Sequence, residues 1–354
     1  MNKELPDPAQ VRSAYPGLLH QTYLDTGSMG LMAQATVDAA QAEQERLLRE
    51  GSTRGIYWMT EGLPGICSRV ADHIGGDSEG TVLFQSFTAG LARIAPLLKH
   101  RSKVLLVGGD YPTLHGPFLW NGFNVAMVQP QADGSIPLSL LADAIQREKP
   151  QVVAISHVQW GTGHLIDLHG FAALCREHGA WSVVDVTQSW CCVPFTVQHT
   201  PVDLIGGSGY KWPLAGFGNG FFHLTPEVRL EVAERNGFDA VKALSEGHLD
   251  PVAQVRLGHA LDRHRAFGAQ AVWERVQQLT AYAVTALHRA GIAVINGTDP
   301  AHRAGILIIE GGSERQARLR EAGIPVQLRG AGLRLGIHFY NQEEEIDRLV
   351  QALI

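Results

Sequence analysis

Three runs carry residues whose types and spacing suit chemistry on a small molecule. The first is Val183-Val184-Asp185-Val186-Thr187-Gln188, an apolar run holding an acid, with a glutamine three residues on. Strand C-termini are where open α/β sheets take ligands. A carboxylate there must meet a cation, a polar donor or water, because burying it alone is costly. The same aspartate can equally cap the next helix. The second run is Gly206-Gly207-Ser208-Gly209-Tyr210-Lys211-Trp212. It sets a lysine between two aromatic residues, just after three glycines. Desolvation lowers a lysine's pKa, and the neutral amine is what forms a Schiff base with a carbonyl. The alternative is an ordinary loop lysine, but surface lysines rarely have aromatic neighbours on both sides. The third run, Gln85-Ser86-Phe87-Thr88-Ala89-Gly90, follows an apolar stretch at 81–84 and precedes a helical pattern at 91–98. A strand, a small polar turn and a helix would aim free backbone N–H groups at an anion. The turn also reads as a plain Ser/Thr N-cap.

These residues need a frame to position them. Short apolar runs at 104–107, 125–128, 152–157, 182–186, 204–205 and 220–224 read as strands, the early ones as strands covered on both faces. Helical patterns at 139–148 and 169–178 lie between them. This alternation over about 80–225 predicts an α/β fold with a doubly wound, mostly parallel sheet. After Pro226 the pattern changes. Residues 252–290 read as one long helical stretch. Strands at 292–295, 305–309 and 332–338 follow, with helices at 314–322 and 343–353, as a smaller α+β C-terminal domain. The expected division is an N-terminal segment 1–20, a large domain 21–245 and a small domain 246–354.

Composition narrows the class. The chain has 354 residues, 45% hydrophobic and 18% charged, enough for about two globular domains at roughly 150 residues each. The net charge of −6 gives no electrostatic footing for nucleic acid. No apolar run approaches the ~20 residues of a membrane-spanning helix, and the first ten residues lack the apolar core of a signal peptide. The four cysteines show no CxxC spacing and the 16 histidines no HxxxH or HExxH pattern, so no metal site is expected. The expected setting is cytoplasmic. Glycine stands out: 39 of 354 residues, about 11% against an average of roughly 7%.

Taken together and in this order, the runs around Ser86, Asp185…Gln188 and Ser208…Lys211 resemble the class V aminotransferase family of pyridoxal-phosphate enzymes, which includes cysteine desulfurases and kynureninases. The resemblance extends from Tyr23 to about Leu349. Tyr23-Leu24-Asp25-Thr26-Gly27-Ser28-Met29-Gly30 looks like its N-terminal substrate-side loop. Ile155-Ser156-His157-Val158-Gln159-Trp160-Gly161-Thr162-Gly163 matches the segment beside the cofactor, and Leu333-Arg334-Leu335-Gly336-Ile337-His338-Phe339-Tyr340-Asn341 the small-domain signature.

The resemblance implies a fold-type I enzyme, a homodimer, with pyridoxal 5'-phosphate as cofactor and an α-amino acid as substrate. It implies that Lys211 holds the cofactor as a Schiff base and moves the proton at the substrate Cα, with Asp185 against the pyridinium nitrogen. Gln188 would meet the ring's phenolic side and Tyr111 would stack on the ring. Ser86, Phe87, Thr88, Ser208 and Tyr210 would hold the phosphate. Arg334 would clamp the substrate carboxylate, with Ser28, Gln159 and Trp160 also on the substrate side.

Some residues depart from the relatives. Cysteine desulfurases need a thiol shortly before the region of Arg334, and residues 310–332 contain no cysteine. Cys191 or Cys192 would have to substitute, and both read better as core. Trp160 stands where desulfurases carry asparagine, and Gly161 where kynureninases carry arginine. Arg54, Tyr57 and Trp58 form a polar-aromatic cluster that reads as a helix surface, or else as a contact to substrate across a dimer. The expected chemistry is aminotransfer or β-lyase cleavage, including C–S bonds. Kynureninase-type C–C hydrolysis and epimerisation are the enzymatic alternatives. A pyridoxal-phosphate-binding regulatory protein without turnover is the alternative of another class.

Overall fold

The computed structural model describes residues 5–245, 247–296, 299–330 and 332–354. Residues 1–4 of the N-terminal segment, and Glu246, where the small domain is expected to open, lie outside the described residues. The large sheet is built from β1 (Thr81–Phe84), β2 (Lys103–Val107), β3 (Asn124–Val128), β4 (Val152–Ser156), β5 (Trp181–Asp185), β6 (Leu204–Ser208) and β7 (Gly220–Leu224). Their spatial order is β1-β7-β6-β5-β4-β2-β3. From β3 to β6 all pairings are parallel; β7 runs antiparallel to both β6 and β1.

The strands are apolar on both sides because both faces are covered. Leu105, Val107, Val153, Ile155, Val184 and Ile205 face one core. Their neighbours Val104, Leu106, Val152, Ala154, Val183 and Leu204 face the other, as the two-residue period of a strand requires. β3 departs from the expectation of full cover. It is the edge strand, and Asn124 and Met127 on it are exposed. The helices expected at 139–148 and 169–178 are Leu138–Glu148 and Leu168–Glu177. The pattern at 91–98 is split between a helix that starts earlier, Phe87–Ile94, and a 3₁₀ turn, Ala95–Leu98.

The long pattern at 252–290 is two helices, Pro251–Phe267 and Ala269–Arg289. Gly268 breaks it with φ +90°, backbone that glycine adopts without steric cost. The first of the two packs into the large core: its Leu257 and Leu261 join Trp58, Ile66 and Val70. The helix before Gly268 thus belongs to the core of the large sheet, and the helix after it reaches the core of the small one. Beyond it lie β8 (Val294–Asn296), β9 (Ile306–Glu310), β10 (Gln327–Arg329) and β11 (Gly332–Gly336), an antiparallel sheet in the order β10-β11-β9-β8. Helices Ala269–Arg289 and Glu343–Leu353 give Leu279, Leu287, Ile346 and Leu349 to its core. The N-terminal segment is no free tail: Val11, Tyr15 and Leu18 pack with Trp212 and Phe339. No described helix is long and apolar enough to cross a membrane.

Candidate active site

Strand register brings the expected residues together. Ser156 lies opposite Asp185, and Asp185 opposite Gly206, so the ends of β4, β5 and β6 are level. Val183 and Asp185 share a face by parity, and Leu204 and Ser208 share that same face on the next strand. The helix Phe87–Ile94 covers it, giving Phe87, Leu91 and Ile94 to its core. At the level edge is a cavity of about 180 Å³ lined by Ser86, Phe87, Thr88, Tyr111, Trp160, Asp185, Gln188, Ser208, Tyr210 and Lys211. Residues more than a hundred positions apart thus converge.

Lys211 is 5% exposed. Its Nζ lies 5.3 Å from the centre of the Tyr111 ring and 5.4 Å from that of Tyr210. Burial pushes its amine down from the ordinary lysine value, against the opposing pull of Asp185. The Asp185 carboxyl moves the other way: burial raises it, while hydrogen bonds from Thr187 and the charge of Lys211 hold it back. Thr187 donates its N–H to Asp185 Oδ1 at 2.8 Å. Two groups of opposite charge type, each desolvated, thus face one cavity.

The lysine turn is braced from behind. Trp212 Nε1 donates to Gln188 Oε1 at 2.7 Å, and His338 Nε2 donates to the Trp212 carbonyl at 3.0 Å. From the front, the Gly30 N–H donates to the Tyr210 carbonyl at 2.8 Å. A Cβ on Gly30 would collide with the Lys211 carbonyl and the Leu214 side chain. Leu214 itself sits at φ +63°, a conformation costly for a residue with a Cβ. The turn is therefore held in place by its surroundings rather than by local preference.

At the helix start, Ser86 is the N-cap, accepting from the Ala89 N–H through its hydroxyl. The Phe87 N–H donates to Ser208 Oγ at 2.9 Å. Among the described residues the Thr88 N–H has no hydrogen-bond partner, and the Thr88 hydroxyl donates to Thr113 at 3.0 Å. The turn expected to offer several N–H groups thus has the Thr88 N–H open, plus the hydroxyls of Thr113, Ser208 and Tyr210 around it. Burial raises the Tyr210 hydroxyl, so it stays a donor at neutral pH. Tyr210 stacks on Phe217, with ring centres 4.9 Å apart.

Tyr111 is set at 78° to Trp160 with centres 5.5 Å apart, and Trp160 Nε1 donates to the Gly109 carbonyl. Arg334 is buried beside the N-terminal loop. Its Nη2 donates to Ser28 Oγ at 2.6 Å and lies 3.7 Å from Asp25, while Nη1 donates to the Trp160 carbonyl. Its Nε is buried with no hydrogen-bond partner. β11 carries this arginine to the loop: Gly336 pairs with Asp25 as an isolated parallel bridge. A Cβ on Gly336 would press on the Gly27 and Thr26 amides.

Two expectations shift. Gln188 lines the cavity, but its amide is held at both ends, donating to the Gly27 carbonyl at 3.0 Å and accepting from Trp212. Gln159 is turned away from the cavity. Its amide donates to Asp110 Oδ2 and the Ser156 carbonyl, each at 3.1 Å. It positions Asp110, which was not singled out from sequence. Asp110 is 3% exposed and also accepts from the Ser156 N–H, the Ser156 hydroxyl and the Tyr111 N–H. It fixes Tyr111. The available signal was its place just after a Gly-Gly turn at the end of β2. Thr113, Thr187 and Asp25 were likewise missed, being polar residues that carry no pattern of their own.

In the Arg54 cluster Trp58 is buried and Tyr57 is exposed. Arg54 donates to both oxygens of Glu43, at 2.7 and 2.6 Å, and Trp58 Nε1 donates to Glu43 at 2.6 Å. Cys191 and Cys192 are buried, and burial raises both thiols. His73, Cys191 and His264 form a cluster of metal-type donors. However, Trp190 donates its N–H to His73 Nδ1 at 3.1 Å. That leaves the proton on Nε2, the nitrogen facing His264 at 2.9 Å. A protonated nitrogen cannot ligate, so this cluster is a hydrogen-bonded chain.

The chain is similar in sequence to curated cysteine desulfurases named IscS. That of Shewanella baltica (strain OS185) is 36% identical over 140 residues, 39% of this chain and 34% of the relative. The match thus spans about a third of the length of these relatives. Among solved structures, the apo cysteine desulfurase from Thermococcus onnurineus NA1 superimposes with a TM-score of 0.88 at 18% identity, over 99% of this chain and 98% of that one. The cystine C–S lyase C-DES, in complex with cysteine persulfide, gives 0.85 at 19% identity over 96% and 98%. The cysteine desulfurase CsdA from Escherichia coli gives 0.84 at 20% identity over 99% and 98%. At these identities the likeness is one of fold, the fold-type I architecture. The aminotransferase class-V family model matches residues 22–349, and with this length of match the chain belongs to the class V aminotransferase family of enzymes.

Proposed function

We propose that this protein is a pyridoxal-phosphate enzyme that cleaves a β-substituent, C–S bonds foremost, from an α-amino acid. The observation that carries the reading is Lys211: a desolvated lysine over a cavity, between two tyrosine rings, with a buried carboxylate at the same strand edge. The residues present fit the cofactor. One end of the cavity offers the Thr88 N–H at a helix start and three hydroxyls, which suits a phosphate. The other holds Asp185, whose hydrogen bonds among the described residues come from Thr187 alone. Such an acid suits a protonated ring nitrogen.

When bound, the cofactor supplies the electron sink for the pair left at Cα. The chain's residues do the rest. Arg334 binds the α-carboxylate through its fork of donors, a task for which arginine is better shaped than lysine. Lys211, kept partly neutral by burial, takes the Cα proton. Asp185 stays ionised beside a cationic partner and fixes the sink's charge. Tyr111, held by Asp110 and Trp160, would cover one side of the bound cofactor and exclude water there.

The names of the relatives support C–S chemistry, and no cysteine lines the cavity. The four cysteines are free; Cys191 and Cys192 are in the core. We therefore read the reaction as elimination, without sulfur transfer to a protein thiol. A homodimer would cover the exposed Leu48, Ile56 and Met59 and close the cavity mouth at Phe217. A cytoplasmic setting accords with the free thiols.

The test is direct. Wild type loaded with pyridoxal phosphate is expected to be yellow, and Lys211→Ala to lose that band. Cysteine-type substrates should yield sulfide or thiol with pyruvate, and replacing Cys191 and Cys192 by alanine should leave that yield in place. Keto acid formed with pyridoxamine phosphate would overturn the lyase reading in favour of aminotransfer. A colourless wild type would overturn cofactor binding itself.

A further inference from the structure

Arg329 lies on β10, next to the strand that carries Arg334. In the β10–β11 pairing Gln327 lies opposite Arg334 and Arg329 opposite Gly332. Opposed residues of an antiparallel pair share a face, as do residues two apart on one strand. Gln327, Arg329 and Arg334 are therefore on the same face of the small sheet. Two contacts show where that face looks. Gln327 donates to Asp25 Oδ2 at 2.9 Å, and Arg334 reaches Ser28 and Asp25. It is the wall of the site beside the N-terminal loop.

The Arg329 guanidinium carbon lies 5.6 Å from the centre of the Trp160 ring, and Trp160 lines the cavity. An aromatic face orients a guanidinium while leaving its in-plane donors open. Those donors have little to do. Among the described residues Nη1 donates to the neighbouring Leu328 carbonyl at 3.0 Å, the Nε is buried without a partner, and no carboxylate forms an ion pair with it. Asp25, the acid of this wall, is engaged by Gln327 and Arg334. Burial is the main cause that pushes the Lys211 amine down, and the charge of Arg329 adds to it. The cation therefore acts on the site electrostatically as well as by position.

Building on the lyase reading, we propose that Arg329 is a specificity residue selecting amino acids whose side chain ends in a second anionic group, such as a carboxylate. Arg334 takes the α-carboxylate beside Ser28, and Arg329, across Trp160, takes the distal anion. A carboxamide of the same size carries no charge, offers one acceptor oxygen where a carboxylate offers two, and sets an N–H donor against a guanidinium that can only donate, which is the basis of the discrimination.

Two matched pairs test this in the pyridoxal-phosphate-loaded enzyme: S-carboxymethyl- against S-carbamoylmethyl-L-cysteine, and L-glutamate against L-glutamine. Elimination from either cysteine conjugate releases a thiol, pyruvate and ammonia, with one water consumed. Two readouts apply, kcat/KM for the conjugates and the dissociation constant of all four compounds from quenching of tryptophan fluorescence. The acid is expected to be preferred over its amide about tenfold or more in wild type. In Arg329→Gln the acid-to-amide ratio falls at least tenfold; in Arg329→Lys, which keeps a point charge without the fork, it falls less. Wild type that treats acid and amide alike overturns the assignment. So does an Arg329→Gln variant that loses both members of a pair equally, because that would place Arg329 on the α-carboxylate. A loaded enzyme to which no amino acid binds would instead overturn the functional reading beneath it.

Discussion

Gly30→Ala should cripple the lysine turn by a single methyl group. Gly30 lies where the N-terminal loop presses on the chain carrying Lys211, and its N–H bonds the Tyr210 carbonyl at 2.8 Å. A Cβ there falls far inside contact with the Lys211 carbonyl, a backbone atom that cannot rotate away, and with Leu214. Leu214 is already at φ +63° and has little freedom to yield. Overpacking of this kind costs roughly 1–3 kcal/mol of stability. To make room, the turn must retreat by about 1 Å, and a displacement of that size costs on the order of 100-fold in rate. Gly65→Ala is the control. It makes the same chemical change within the helix Leu63–Ile74, where an added Cβ meets nothing within 4 Å. It should stabilise by about 0.5–1 kcal/mol and leave turnover intact. Thermal unfolding of both variants, with kcat on an S-substituted cysteine, reads the two effects separately. A Gly30→Ala enzyme with wild-type Tm and kcat within about threefold of wild type would refute the claim that this contact sets the lysine's position.

Three further outcomes are expected. Burial raises the Asp185 carboxyl, so the folded cofactor-free protein binds that proton more tightly than the unfolded chain. The group then contributes stability at low pH that is lost as pH rises through its raised folded value. Asp185→Asn should accordingly unfold at a higher temperature than wild type near pH 7, with the gain shrinking towards about pH 4, while its loaded form loses activity by roughly 100-fold or more. A lower Tm than wild type at neutral pH would contradict this. Glu43→Ala removes the acceptor shared by Arg54 and Trp58; it should cost about 2–3 kcal/mol in denaturant unfolding with KM unchanged, and a changed KM would return the cluster to the substrate. Arg334→Lys replaces a fork by a point charge and should raise the apparent dissociation constant of every amino acid about tenfold or more, read by titration of the loaded enzyme.

Much of the site was legible in the chain. Asp185, Gln188, Ser208 and Lys211 sit on strand ends and turns whose apolar runs and glycines are local signals, and the register of β4, β5 and β6 then levels them with little freedom. The strands of the large sheet were readable for the same reason, since a strand covered on both faces is apolar throughout. The helix break at Gly268 was not readable as a break, because apolar periodicity continues across it and a single glycine is also tolerated inside a helix.

Sequence alone therefore determined the chemistry on offer: an acid, a lysine, a polar turn at a helix start and an arginine, with a glycine excess that lets the chain pass close to all of them. Tertiary structure decided who faces whom. It turned Gln159 onto Asp110, closed Arg54 onto Glu43, pressed Gly30 against the lysine turn and set Arg329 over Trp160. Apart from Arg54 and Glu43, which lie 11 residues apart, these are contacts between elements far apart in the chain. Their geometry depends on how whole sheets and loops pack, and no short stretch of residues encodes it.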